Sequence, residues 1–202
     1  MALFANLRAD LRRACEFQDG SGLRRLALAL SAPGTHAVIV YRFGRWARAQ
    51  AAPLRWLLSA AYQVAYLVVR ILWGIEVPRG ATIGPGLYIG HFGGITVSCR
   101  AVIGRNFNLS QCATIGTGGS GEKMGAPAIG DGVYVAPGAR VFGRITIGSN
   151  VKIGANAVVY KDIPDNAVVA LDPGFRIISF KGNRRGTVEL MPHDKRRSAS
   201  TG

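Results

Sequence analysis

Only three histidines occur in the 202 residues: His36, His91 and His193. His91 stands in Ile89-Gly90-His91-Phe92-Gly93-Gly94, where three glycines clear the space around the ring. A neutral imidazole in such a cleft suits general-base work on a hydroxyl or an amine. It needs a partner to set its tautomer and to stabilise the imidazolium that forms. Glu76 is the candidate, the only carboxylate between Asp19 and Glu122. Each has a plainer reading: a lone histidine is more often structural, and Glu76 equally suits a solvated junction. His36 falls in a helical stretch and His193 near the C-terminus. A zinc centre of three imidazoles has too few ligands here. The cysteines, Cys15, Cys99 and Cys112, do not restore the count.

The elements that must present His91 have a period of six. Val77, Ile83, Ile89 and Ile95 form one run, followed by Val97, Ile103, Leu109 and Ile115, and then by Ile129, Val135, Val141, Ile147, Ile153 and Val159. Six is neither the helical period nor strand alternation. It is the hexapeptide signature of a parallel β-helix, each flat face burying one aliphatic side chain. Three hexads close a triangular coil, and Gly and Asn serve the corners, where φ turns positive. His91 lies two places past inward-facing Ile89, which puts it near a corner. A phase slip of two between Ile95 and Val97 predicts a widened corner just after it. Residues 116–127 break the hexads and read as a loop that folds back over His91, since loops on rigid scaffolds often carry function.

The chain divides at 1–75, 76–175 and 176–202. The first segment reads as basic, apolar helices. Ser21 is expected to cap a helix over Leu23–Leu30, Pro33-Gly34 to stop it, Thr35 to cap the next, and Pro53 to open a third from Leu54 to about Trp73. That third helix falls short of a membrane span. It reads as a helix buried between subunits or against the coil, with a helix lying on the inner leaflet as the alternative. The net charge of +14 is concentrated outside the repeat. Basic flanks suit anionic lipid or a phosphorylated substrate. No nucleic-acid motif or row of stacking aromatics accompanies them, so nucleic acid is not expected. Three cysteines without paired spacing argue against a disulfide framework and suit a reducing cytoplasm. The start lacks the pattern of a secretory signal. Residues from about Lys181 onward read as a basic tail.

The run Ala81–Ile95, with Ala113-Thr114-Ile115-Gly116-Thr117-Gly118-Gly119 and the stretch Ile129–Val159, resembles serine acetyltransferases over about residues 76–175. The resemblance implies a left-handed parallel β-helix with an N-terminal helical extension. It also implies a homotrimer, and acetyl transfer from acetyl-CoA, with no metal, in a groove between subunits. It casts His91 as the base and Glu76 as the acid that orients it, where the family usually has Asp. It places CoA contacts near Ala136, Pro137, Lys152 and Ala155, and the backbone of Gly118 near the pantetheine. Lys152 suits an adenosine phosphate.

Serine acetyltransferases have Asp before the catalytic His, and here it is Gly90. They have an Arg-His pair before the loop proline, and here it is Gly125-Ala126-Pro127. Those charged groups hold the amino acid's ammonium and carboxylate. Their loss, with the shortened basic helices, resembles the colanic-acid-type O-acetyltransferases of exopolysaccharide and capsule clusters. The expectation is therefore a sugar hydroxyl as acceptor, with a lipid-linked carbohydrate and peripheral contact at the inner membrane in view. The alternatives are serine O-acetylation and a non-catalytic β-helical scaffold.

Overall fold

An aliphatic side chain at every sixth residue needs a shared interior, and the computed structural model shows how it is made. It describes residues 2–121 and 124–171, with side chains from residue 4. The predicted basic tail lies outside the described residues. Residues 1–171 form one compact unit, helices and coil together.

Among the described residues, fourteen strands of two or three residues make three parallel sheets. The first sheet stacks β1 (Ile75–Glu76), β4 (Ile95–Val97), β7 (Thr114–Gly116), β10 (Arg140–Phe142) and β13 (Val158–Val159). The second stacks β2 (Thr82–Ile83), β5 (Val102–Ile103), β8 (Ala128–Ile129) and β11 (Thr146–Ile147). The third stacks β3 (Tyr88–Ile89), β6 (Asn108–Leu109), β9 (Tyr134–Val135), β12 (Lys152–Ile153) and β14 (Val168–Val169). The chain visits the sheets in rotation, as the left-handed parallel β-helix requires. In nearly every strand the hexad aliphatic points inward and its neighbour outward. The interior is one continuous column of such residues.

Two departures from the period locate function. Val141 and Val159 pair at a separation of 18 residues, whereas Ile115 and Val141 pair at 26, so eight extra residues leave the coil as the loop before β8. Ile89 pairs with Leu109 at a separation of 20, two more than a regular turn. Those two fall at the corner after His91, where Gly93 and Gly94 take φ of 97° and 65°. The angle at Gly93 is one that glycine adopts at little cost. Elsewhere asparagines take the left-handed corners, among them Asn106, Asn150, Asn156 and Asn166.

Four helices precede the coil: α1 (Ala2–Glu16), α2 (Gly22–Ser31), α3 (Pro33–Arg48) and α4 (Leu54–Trp73). Ser21 is the N-cap of α2, but its hydroxyl makes no capping bond. Pro33 opens α3 as its first residue, where its fixed φ suits a helix start. Thr35 is therefore buried inside α3 and caps nothing. Gly34 lies so close to Ile89 that a β-carbon there would overlap the Ile89 carbonyl oxygen.

A buried ion pair fastens these helices to the first turn. Asp10 of α1 and Arg42 of α3 are 2% and 3% exposed. Arg42 Nε donates to Asp10 Oδ2 at 2.7 Å, and its Nη2 to Oδ1 at 3.1 Å. The same Oδ1 accepts the amides of Gly86 and Leu87, both at 2.8 Å. Arg42 also reaches the carbonyls of Ile83 at 2.7 Å and Gly84 at 2.6 Å. Asp10 and Arg42 thus both bond to the turn that leads into β3 and His91. Beside it, Phe17, just past the end of α1, stacks on Tyr88 with ring centroids 4.1 Å apart.

The apolar helix α4 is largely exposed, not buried against the coil. Tyr62 and Val69 are buried, and Tyr62 accepts the Arg79 amide at 3.0 Å. Leu57, Val64, Leu67 and Ile71 are exposed. By length and composition α4 alone is sufficient to cross a membrane, contrary to the expectation from its interrupting polar residues. It ends at Gly74, left-handed at φ 59°, whose amide bonds to the Arg70 carbonyl, a common glycine termination.

Candidate active site

His91 is exposed, in the bend between β3 and β4. The corner that carries it is held by backbone alone. Gly90 donates to the Leu109 carbonyl, Gly93 to that of Trp73, and Cys112 to that of Gly93. Phe92 meets Trp73 edge-on at 5.7 Å, and Trp73 is tilted against His36 at 5.9 Å. The His36 ring nitrogen pairs with the Leu30 carbonyl at 2.8 Å, so that histidine has a structural task.

Beneath His91 runs one edge of the prism. Gln111 lies two places past inward Leu109, Pro137 two past Val135, and Ala155 two past Ile153, as His91 lies two past Ile89. The register of the third sheet stacks these four positions on successive turns. The Gly138 amide bonds to the Gln111 carbonyl and the Asn156 amide to that of Pro137, tying the edge together. With parallel strands about 4.8 Å apart, three steps cover about 14 Å. Ala136 is buried and Ala155 exposed. Lys152 is exposed on the adjoining outer face, its ammonium 6.0 Å from the Tyr134 ring centre.

Gly118 belongs to a different edge. It exchanges backbone bonds with Gly125 at 2.9 and 3.0 Å, closing the base of the extra loop. That loop leaves between the first and second sheets, whereas His91 lies between the third and first. The loop does not fold back over His91 in its own chain, because the two are on different corners of the triangle.

The expected pairing of Glu76 with His91 is not formed either. Glu76 faces outward from β1, opposite Thr96 of β4. Its Oε1 is 3.8 Å from Arg70 Nη2, and its charge acts on the nearby Tyr66 phenol. Burial, and after it the Glu76 charge, push the Tyr66 phenol well above its usual range. The phenol therefore remains protonated as a donor.

One polar atom on the His91 edge has no partner. The Oε1 of Gln111 is buried without a hydrogen bond. Sequence reasoning passed over Gln111, although its phase, matching that of His91, was a usable signal. Arg70 and Tyr66 were also missed, and nothing in a helical sequence marks them as neighbours of Glu76.

Comparison with known proteins places this geometry. The model of the bacterial transferase hexapeptide (six repeats) matches residues 126–161. A serine acetyltransferase of Synechococcus elongatus is 35% identical over 185 residues, covering 90% of this chain and 71% of the relative. One of Mycobacterium tuberculosis is 36% identical over 168 residues, 83% of this chain and 70% of the relative. The chain belongs to the serine acetyltransferase family. This is a family of acyltransferases that draw the acetyl group from acetyl-CoA. Among solved structures, serine acetyltransferase isoform 3 of Entamoeba histolytica, in complex with cysteine, superposes with a TM-score of 0.71 at 26% identity, over 88% of this chain. The enzyme of Neisseria gonorrhoeae, in complex with serine, gives 0.68 at 29%, over 85% of this chain. The chain spans 61% of the length of the Entamoeba structure and 68% of the Neisseria one.

These relatives overturn the expectation of a sugar acceptor in exopolysaccharide synthesis. That expectation leaned on the uncharged positions Gly90, Gly125 and Ala126, and on the shortened, basic helices, as departures from serine acetyltransferases. The similarity covers 90% of the chain, and the buried Asp10–Arg42 pair makes the helices part of the coil's own unit. The alignment runs through them, so they do not by themselves mark a separate subtype.

The residues present fit the family's acetyl-CoA. Gln111 offers a buried, unpartnered acceptor of the kind a pantetheine amide satisfies. Ala136, Pro137 and Ala155 are small enough for close approach along the edge. Lys152 supplies a cation beside it for a phosphate.

Proposed function

We propose that the chain is a serine O-acetyltransferase working with acetyl-CoA. The observation that carries the proposal is the placing of His91: exposed, at a glycine-widened corner, heading the edge formed by Gln111, Pro137 and Ala155, in a chain of this family. His91 takes the proton from the serine hydroxyl as the oxygen attacks the thioester carbonyl. The carbon–sulfur bond breaks, and the proton passes from the imidazolium to the departing thiolate. Backbone amides near the site stabilise the oxyanion. Ala136, Pro137, Lys152 and Ala155 line the donor's path. Gly118 and the loop serve the groove of a neighbouring copy, which is the use a trimer makes of two different corners.

Thiol release from acetyl-CoA with L-serine tests this reading. The protein is expected to release thiol in a serine-dependent way. His91→Ala is expected to lower kcat by about 100-fold or more, with acetyl-CoA binding retained. No serine-dependent release from the wild-type protein would sink the reading. Undiminished turnover in His91→Ala would remove His91 from it.

A further inference from the structure

Helices α1 and α2 pack against each other and leave a groove of about 640 Å³ between them. On α1 its wall is the stripe Phe4, Leu7, Leu11 and Cys15, spaced by three and four residues as one helix face requires. On α2 its wall is Leu26, with Leu23 and Leu30 three before it and four after it on the same face. Phe4 is 74% exposed and Leu23 81%. Two apolar stripes that converge on solvent are two sides of a helical bundle without its third member. A trough between two cylinders receives another cylinder better than it receives a flat lipid surface.

Charge specifies the third member. Arg8 and Arg12 stand one turn apart on α1 and line the same groove. Like charges at this spacing repel. Among the described residues neither forms a hydrogen bond or an ion pair. Asp10, between them in sequence, is buried in its pair with Arg42. Helix α2 carries Arg24 and Arg25 and no carboxylate. A second copy seated in the groove would bring its own arginines against these, whereas carboxylates would satisfy them. We propose that the α1–α2 groove is a docking site for an acidic amphipathic helix of another protein. The partner lays apolar side chains one turn apart along the groove and sets carboxylates opposite Arg8 and Arg12, a helix-in-groove mode. From Phe4 to Cys15 the stripe runs about 16 Å, or about three turns, so the interface is of the small, transient kind. Because α1 also carries Asp10, which holds the amides of Gly86 and Leu87, the partner rests on the helix that fixes the turn before His91.

The test uses the full chain and two synthetic peptides of about 15 residues, near the length at which a helix is marginal in water. Both carry leucine at i, i+3, i+4 and i+7; the remaining positions are Glu in one and Lys in the other. In fluorescence anisotropy the Glu peptide is expected to bind saturably, and the Lys peptide about tenfold more weakly or not at all. Leu23→Ser and Leu26→Ser are each expected to weaken the Glu peptide about three- to tenfold, the loss of one partly buried leucine. Reversing Arg8 and Arg12 together, Arg8→Glu with Arg12→Glu, is expected to invert the preference between the peptides. Arg24→Glu with Arg25→Glu, outside the groove lining, is expected to leave it in place. Equal losses from the two arginine pairs would show attraction to net charge alone and overturn the docking site. A Glu peptide that fails to bind, or leucine variants that bind it as the wild type does, would overturn it too. Co-sedimentation with phosphatidylglycerol vesicles in place of peptide binding would give the face to a membrane. A doubled mass in light scattering, abolished by Leu26→Ser, would give it to a second copy. Either result overturns the acidic partner. Melting curves of the variants, expected to overlay the wild type, separate these outcomes from misfolding.

Discussion

Replacing Asp10 by Ala is the sharpest test of how the helices hold the catalytic corner. The carboxylate accepts four bonds, two from Arg42 and one each from the Gly86 and Leu87 amides. Its loss leaves a buried guanidinium without a counter-charge. Removing one partner of a buried pair costs about 3–5 kcal/mol. Two backbone amides lose their acceptor as well, at about 1–3 kcal/mol each if water cannot reach them. Against this, Arg42 keeps the carbonyls of Ile83 and Gly84. These contributions overlap, and the net expectation is a loss of about 3–5 kcal/mol. Asp10→Asn separates charge from anchoring. It retains an oxygen for the two amides and gives up the charge, so it should cost about 1.5–3 kcal/mol. Urea unfolding at one fixed protein concentration reads both, because assembly shifts apparent stability. With a slope of about 2 kcal/mol per molar, the Ala variant should move the midpoint down by about 2 M. A loss under about 1 kcal/mol is the scale of a solvated ion pair and would refute the clamp. Equal losses in the Ala and Asn variants would refute the anchoring of the Gly86–Leu87 turn.

Two further outcomes follow from the same geometry. Gln111→Leu removes a buried acceptor that has no partner, so it should raise stability by about 1 kcal/mol. The same change should raise KM for acetyl-CoA about three- to tenfold, the worth of one hydrogen bond; a drop in stability or an unaltered KM counts against Gln111 as a donor-side contact. Gly34→Val forces a side chain into the Ile89 carbonyl, and overpacking of this kind costs about 1–3 kcal/mol. Because Ile89 leads directly into His91, turnover should fall with stability, and a variant matching the wild type in both would show that α3 does not set the corner.

The coil was legible because its signal is redundant. Thirteen or more aliphatic residues in one phase leave little choice of fold, and the slip between Ile95 and Val97 marked the widened corner before any coordinates. The loop could be located from its missing hexads, but which corner it leaves was not weighed. The count of hexads would have shown that Ile115 closes a first-sheet strand while Ile89 closes a third-sheet one. The helices were read less well. Asp10 and Arg42 look like solvated residues on amphipathic helices, and only tertiary packing buries them. The spacing of Glu76 and His91 was visible, but a side chain's direction depends on what lies across from it. Here that is Arg70 and Tyr66 on a helix whose placement the pattern does not encode. The sugar acceptor is a misleading expectation for a related reason: missing charges at Gly90, Gly125 and Ala126 read as a neutral pocket.

The widened corner explains why His91 is exposed where Gln111, of equal phase on the next turn, is half-buried. In the regular turns the left-handed corner residue comes three places after the inward aliphatic: Cys112 after Leu109 and Asn156 after Ile153, at φ of 57° and 58°. In the first turn the left-handed residue stacked on Cys112 is Gly94, five places after Ile89, its would-be β-carbon 3.3 Å from Cys112 Cα. The two additional residues therefore enter between His91 and the corner that continues the stack. Gln111, without that insertion, stays against the prism with its Oε1 buried. His91, with it, is displaced outward and exposed. The insertion thus turns a repeat position that elsewhere tiles an edge into one that presents an imidazole at its head, with the rest of the edge left flat for an extended donor.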